Sequence, residues 1–254
     1  MTSLVPFLDP FHLVLALAIA LLSGLVKGMV GFAMPMILVS GLGTFLPPEI
    51  ALAGLILPTV VTNGMQALGQ GLRAALGSVR QFRVFLIAGL VCLLISAQLV
   101  RLIAPSTFLL ALGVPVTFFA LIQLFGLRLR FDATHTRIEA LFGAIAGFIG
   151  GLSGVWGPPT VMYLTALDTP KQEQLRIQGV IYGLGAVALL GAHFTSGVMR
   201  AETLPFSLIL VLPAMLGMWI GGLFVHRIDQ ATFRKATLAV LLIAGLNLIR
   251  RGLL

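Results

Sequence analysis

Hydrophobic positions in this chain gather into long runs separated by short polar gaps. The runs fall at 12–40, 50–71, 82–103, 106–126, 138–166, 175–199, 203–225 and 231–249. Stretches of this length with few charges read as membrane-crossing helices, and short gaps fold each helix back on its neighbour. No stretch is long or polar enough for a soluble domain. Two runs are too long for one straight crossing: 12–40 and 138–166 hold 29 residues each. A helix of that length reaches about 43 Å, against a hydrocarbon core of about 30 Å. Both are interrupted midway by glycine and proline, as GLVKGMVGFAMPM in the first and GFIGGLSGVWGPPT in the second.

The two interruptions align at one offset. A shift of 123 residues brings Gly24 onto Gly147, Gly28 onto Gly151, Gly31 onto Gly154, Pro35 onto Pro158 and Pro47 onto Pro170. Glycine is common here, at 29 of 254 residues, so one match would mean little. Five glycine and proline identities in register, at a shift near half the chain length, point to a duplication. The expected fold is an all-α polytopic membrane protein with two four-segment repeats, 1–127 and 128–254, forming one membrane domain. Each repeat has one Gly/Pro-broken hairpin or discontinuous helix plus three transmembrane helices.

Composition agrees with a membrane chain. Only 9% of residues are charged, 59% are hydrophobic and the mean hydropathy is +1.09. A soluble domain carries about 25% charged residues. The net charge of +8 does not argue for nucleic acid, because the basic residues sit mainly in the gaps between apolar runs. There they act as topological signals. If all eight runs cross, with the N-terminus inside, 9 basic residues fall inside and 6 outside. If the two broken runs instead enter and leave on one face, each repeat has three crossings and the halves are inverted. The inside count is then 11: Arg73, Arg80, Arg83, Arg128, Arg130, Arg137, Lys171, Arg176, Arg227, Arg234 and Lys235. Arg101, Arg200, Arg250 and Arg251 remain outside. The positive-inside rule favours this inverted arrangement, with both termini outside. The N-terminus MTSLVPFLDP has no basic region ahead of its apolar stretch, so no cleavable signal peptide is expected. The single cysteine, Cys92, lies within an apolar run, where it reads as a small core residue.

Irregular backbone at membrane depth is tolerated only inside protein or beside a watery cavity. Interrupted segments at matching positions of two halves are therefore the best pointer to a transport site. A helix that restarts there presents free N–H groups and the positive end of its dipole, which attract anions. Pro35 and Pro158 suit the first turn of such a helix. Gly28, Gly31, Gly154 and Gly157 let a small ligand approach the backbone. Lys27 sits within the first break, where an intramembrane lysine costs at least about 2.5–3.5 kcal/mol. It either anchors an anion, or snorkels or pairs with a carbonyl. Asn63 and Gln66 either donate to the ligand or hydrogen-bond between helices. Ser153 and Thr160 flank the second break. Gln178 and Tyr182 share one face of the following helix, where packing is an equal reading for Tyr182. No Asp or Glu lies deep in a run, so a carboxylate relay or deep sodium site is hard to build.

GLVKGMVGFAMPMILV, followed by LPPEIALAG, and GAIAGFIGGLSGVWGPPTVMYL resemble the motifs of the TauE/SafE family of sulfite exporters and anion permeases. With the eight-run layout, the resemblance covers nearly the whole chain. It implies export of sulfite or an organosulfonate, with Gly28, Gly31, Pro35, Gly151, Gly154 and Pro158 in the translocation core. Phe32, Ala33 and Met34 replace the longer glycine cluster common in the first motif.

Two other classes need weighing. Gly151-Leu152-Ser153-Gly154, with His193 on a later helix, has the parts of an intramembrane serine protease. Against that reading, the repeat partner of the string has no serine, and Pro158 and Pro159 break the helix the serine needs. A passive anion channel is the other alternative. His12, His135, His193 and His226 are scattered, so no metal site is expected, and no nucleotide-binding loop is present. The expectation is a non-enzymatic inner-membrane permease without cofactor. Its partners are a small sulfur oxyanion and the lipid bilayer, and a homodimer is compatible with the sequence. The membrane potential or an ion gradient would drive alternating access.

Overall fold

A computed structural model describes residues 8–99, 104–126, 135–195, 197–225, 227 and 229–254. Arg101, Arg128, Arg130 and His226 lie outside the described residues. Among those described, the chain is helical without strands: α1 (Pro10–Val30), α2 (Met34–Leu42), α3 (Pro48–Leu68), α4 (Leu72–Gln81), α5 (Arg83–Leu99), α6 (Pro105–Leu124), α7 (Thr136–Ser153), α8 (Gly157–Ala166), α9 (Lys171–Thr195), α10 (Leu204–Val225) and α11 (Gln230–Leu253). Among the described residues, α1, α3, α9 and α10 are each long and apolar enough to cross a membrane; α4 and α5 together add a fifth candidate, bent by 77°. Both breaks expected from the sequence are present, at 31–33 and 154–156. The gap expected after residue 71 is instead the helix α4.

Each broken pair folds back on itself. Gly41 in α2 lies against Ile19 in α1, and the rings of His12 and Phe45 are 5.0 Å apart. The chain thus returns to the level at which α1 began. In the second pair, Phe142 near the start of α7 stacks at 5.3 Å on Tyr163 near the end of α8. Tyr163 also stacks on Phe85 at 5.8 Å and meets Phe82 edge-on. Glu139 in α7 accepts a 3.0 Å hydrogen bond from the Phe85 amide, fixing α7 to the start of α5.

Glycine decides how these hairpins pack. A side chain at Gly24 or Gly28 would overlap backbone of α10 at Ala214 or Met218. Side chains at Gly143, Gly147 and Gly151 would overlap α5 at Phe85, Gly89 and Leu93. Contacts ascend together in both pairs, so α1 runs parallel to α10 and α7 parallel to α5. Without a hydrophobic drive between helices in lipid, this close approach of small residues holds them. By contrast, α3 and α9 are antiparallel: Gln70 donates to the Gln172 carbonyl at 2.7 Å and Gln66 to the Leu175 carbonyl at 2.8 Å. Helices α6 and α11 are antiparallel too, with Gly113 against Gly245 and Ile249, and Gly252 against Leu110 and Ser106.

Two polar contacts repair what the backbone lacks. Pro58 leaves the Gly54 carbonyl without its helical donor, and the Ser207 hydroxyl of α10 supplies one at 3.3 Å. Arg251 of α11 donates to the carbonyls of Ser40 at 3.1 Å and Gly43 at 2.7 Å, capping the end of α2. Its charge therefore serves a helix end. Cys92 is half-buried rather than a core residue.

Candidate functional site

The two breaks meet. Gly31 ends α1 in the left-handed region, at φ +89°, its amide donating to the Lys27 carbonyl at 2.7 Å. Gly154 ends α7 at φ +70°, its amide donating to Gly150 at 2.7 Å. Only glycine adopts these angles without cost. Phe32 at the first tip packs on Gly157 at the second, where a Cβ would lie 2.9 Å from the Phe32 ring. Helices α2 and α8 restart from the tips with Pro35 and Pro158 in their first turns and without a side-chain cap. Two uncapped helix N-termini thus begin beside the tip contact, each bringing partial positive charge.

Lys27 lies in the last turn of α1 and is 1% exposed. Its ammonium donates to Oδ1 of Asn63, a residue of α3 that is itself fully buried. That bond orients the Asn63 amide, whose Nδ2 has no partner among the described residues. Lys27, Asn63, Pro35, Gly157 and Tyr182 line a cavity of about 10 Å³ between the tips, together with Phe32, Ala33, Met36, Val155 and Trp156. A space that small holds roughly one water. A four-atom oxyanion enters only if the tips part.

The other expected residues fall around this centre. Gln66 donates to the Gly31 carbonyl at 2.9 Å and so ties α3 to the first tip. Gln178 of α9 faces Gly31, is fully buried, and among the described residues has no hydrogen-bond partner for either amide atom. Tyr182 donates to the Gly157 carbonyl at 3.3 Å, and Thr160 to the Trp156 carbonyl at 2.9 Å. Gly28 and Gly151 stand apart from the cavity, because the backbone that meets them is α10 and α5. Gly154 faces Leu55 and Leu189 rather than the cavity. Pro158 is buried in the first turn of α8. Ser153 ends α7, its side chain outside the described residues; His193 is fully buried.

Sequence reasoning marks Phe32 as a departure from the glycine cluster of the first motif but misses Trp156 as a cavity wall. The available signal was the 123-residue shift, which places Trp156 over Ala33 in the other break. The same shift exposes a difference between the tips. Gly31 is flanked by Gln66 and Gln178; the shift carries Gln66 to Leu189 and Leu55 to Gln178, and Leu55 and Leu189 are what flank Gly154. Lys27 shifts to Gly150, against which the Trp156 ring packs, and Asn63 shifts to Ala186. One tip is polar, and its counterpart is filled with apolar side chains.

No curated protein and no solved structure matches the chain. Residues 16–248 match the family model described as Sulfite exporter TauE/SafE. That match takes in both breaks, Lys27 and every helix that frames the cavity. With nearly its whole length inside it, and with helices apolar enough to cross a bilayer, the chain belongs to the TauE/SafE family of membrane sulfite and anion exporters.

Proposed function

We propose that the chain exports a small sulfur oxyanion, sulfite or an organosulfonate, by alternating access through the cavity between the two tips. The observation that carries this reading is the buried Lys27 ammonium beside the unpartnered donor of Asn63, with two uncapped helix N-termini converging on them. Buried polar groups are normally satisfied, and an anion would satisfy these. The unpartnered Gln178 amide beside Gly31 extends the donor set. Because the counterparts of these residues in the second break are Gly150, Ala186 and Leu55, the halves share one anion site on the Lys27 side of the tip contact.

Inversion of the halves is part of the proposal. The shift of 123 residues pairs α3 with α9 and α6 with α11, and each pair is antiparallel. Helices related by a two-fold axis in the membrane plane must run in opposite directions. Each hairpin then enters and leaves on its own face of the inner membrane, the basic gaps face the cytoplasm and both termini lie outside. Rocking of one half against the other would part Phe32 from Gly157 and open the cavity to alternate sides. Expulsion of each negative charge gains about 2.3 kcal/mol at 100 mV, inside negative. The family is one of transporters, which leaves the Ser153/His193 protease reading without support.

Trp156 reports on this cavity directly. In a Trp219→Phe background it is the sole tryptophan, since the chain has 2. Sulfite titrated onto the reconstituted protein should change its fluorescence saturably, and Lys27→Met should remove that response. A response of equal size and midpoint in Lys27→Met would discard Lys27 as the anchor.

A further inference from the structure

A second cavity, of about 380 Å³, lies between α5, α7 and α9. Its walls are apolar: Leu86, Leu90 and Leu93 of α5, Ala146 of α7, and Leu184 and Ala188 of α9. Its rim includes Ile87, 64% exposed, and Val187, 56% exposed, so it opens sideways towards lipid rather than towards water. Its inner wall is Trp156, the residue that also walls the cavity between the tips. From Leu86 to Leu93 the groove follows α5 for about 10 Å.

The other end of the groove reaches Val79 in α4. This helix is amphipathic. Leu72, Leu76 and Val79 form a stripe at helical spacing, Arg73 and Arg80 share the neighbouring face, and Ala75 and Ser78 point inward. Leu72 and Leu76 are exposed, as are Arg73 and Arg80. The 77° bend lays α4 across the start of α5. A helix with this division of faces lies in the membrane–water interface, its apolar side in the acyl boundary. Arg176 of α9 locks it there, donating to Ser78 at 3.0 Å and Gln70 at 2.7 Å. Arg80 adjoins Val79, and the exposed Arg83 precedes Leu86 and Ile87 of the groove by three and four positions, on the same face of α5. Arg80 and Arg83 therefore lie at the end of the groove where α4 meets α5.

We propose that this groove is a specific site for an anionic phospholipid, with one acyl chain along α5 and α9 reaching Trp156 and the phosphate held by Arg80 and Arg83. Occupancy would brace the far side of the wall that bounds the cavity between the tips, coupling lipid composition to that wall's position. The site stands on its own geometry, whether or not sulfite is the substrate.

Brominated acyl chains quench tryptophan on contact, and Trp156 is only 4% exposed, so lipid outside the groove does not reach it. The test uses full-length Trp219→Phe protein in phosphatidylcholine vesicles doped with brominated phosphatidylglycerol or brominated phosphatidylcholine. Saturable quenching by the anionic lipid is expected, at a lower mole fraction than by the zwitterionic one. Arg80→Gln and Arg83→Gln, both surface changes, should each weaken the anionic preference about fivefold. Ala188→Phe, which fills the groove, should abolish quenching while thermal unfolding remains cooperative. Absent quenching of Trp156, or equal quenching by both lipids, would overturn the proposal. So would quenching that survives Ala188→Phe, or an anionic preference unchanged by both arginine variants.

Discussion

Gln178 and Lys27 illustrate two ways in which a buried polar residue can be kept. Among the described residues Lys27 donates to Asn63, and it retains donors to spare. Among the described residues Gln178 has no hydrogen-bond partner, though it is fully buried against Gly31. Desolvating an amide without a partner costs about 1–3 kcal/mol, so a role in holding the fold does not account for it. Gln178→Leu, the residue the shift places opposite it, should leave thermal stability unchanged or raise it. The same variant should raise the KM for sulfite about tenfold or more, because a hydrogen bond to a charged ligand is worth about 1.5–3 kcal/mol. A drop in melting temperature with an unaltered KM would assign Gln178 to structure instead. Lys27, Asn63 and Gln178 were legible in the sequence because a polar side chain deep in an apolar run is rare. Trp156 was not, since an aromatic residue in such a run looks like any other packing residue until the two tips are brought together.

At the scale of elements, both breaks were readable, because glycine in the left-handed region followed by proline in a first turn leaves a strong mark. The role of Gly28 and Gly151 was not. A small residue beside a break serves equally to admit a ligand or to admit a helix, and only the positions of α10 and α5 decide between them. Helix α4 falls in a gap of the hydrophobic pattern because its arginines interrupt the run. Its amphipathic period is visible only once helix is assumed. The hairpins carry their own test. With Cys92→Ser as background, Thr44→Cys after α2 and Gln172→Cys at the start of α9 report the faces to which the two hairpins return. A membrane-impermeant thiol reagent should label one from outside and the other only from inside. Labelling of both from one side would sink the inverted arrangement.

At the scale of the whole molecule, the proposed topology draws on both charge and packing. The basic gaps sort to one face when the hairpins are re-entrant, and Arg251, counted on the wrong face, is engaged at the carbonyl end of α2. The molecule is built so that α1 packs on α10 and α7 on α5, each hairpin resting on a helix of the other half. In the proposed mechanism a shift of one half against the other moves a hairpin tip, beside which Lys27 lies. The most direct measurement is sulfite efflux from proteoliposomes under an imposed inside-negative potential, comparing the parent protein with Lys27→Met. Efflux that rises with potential in the parent and is lost in a folded Lys27→Met protein is the expected result. Absence of sulfite efflux from the folded parent, or efflux that Lys27→Met leaves unchanged, would contradict a potential-driven exporter that holds its anion at Lys27.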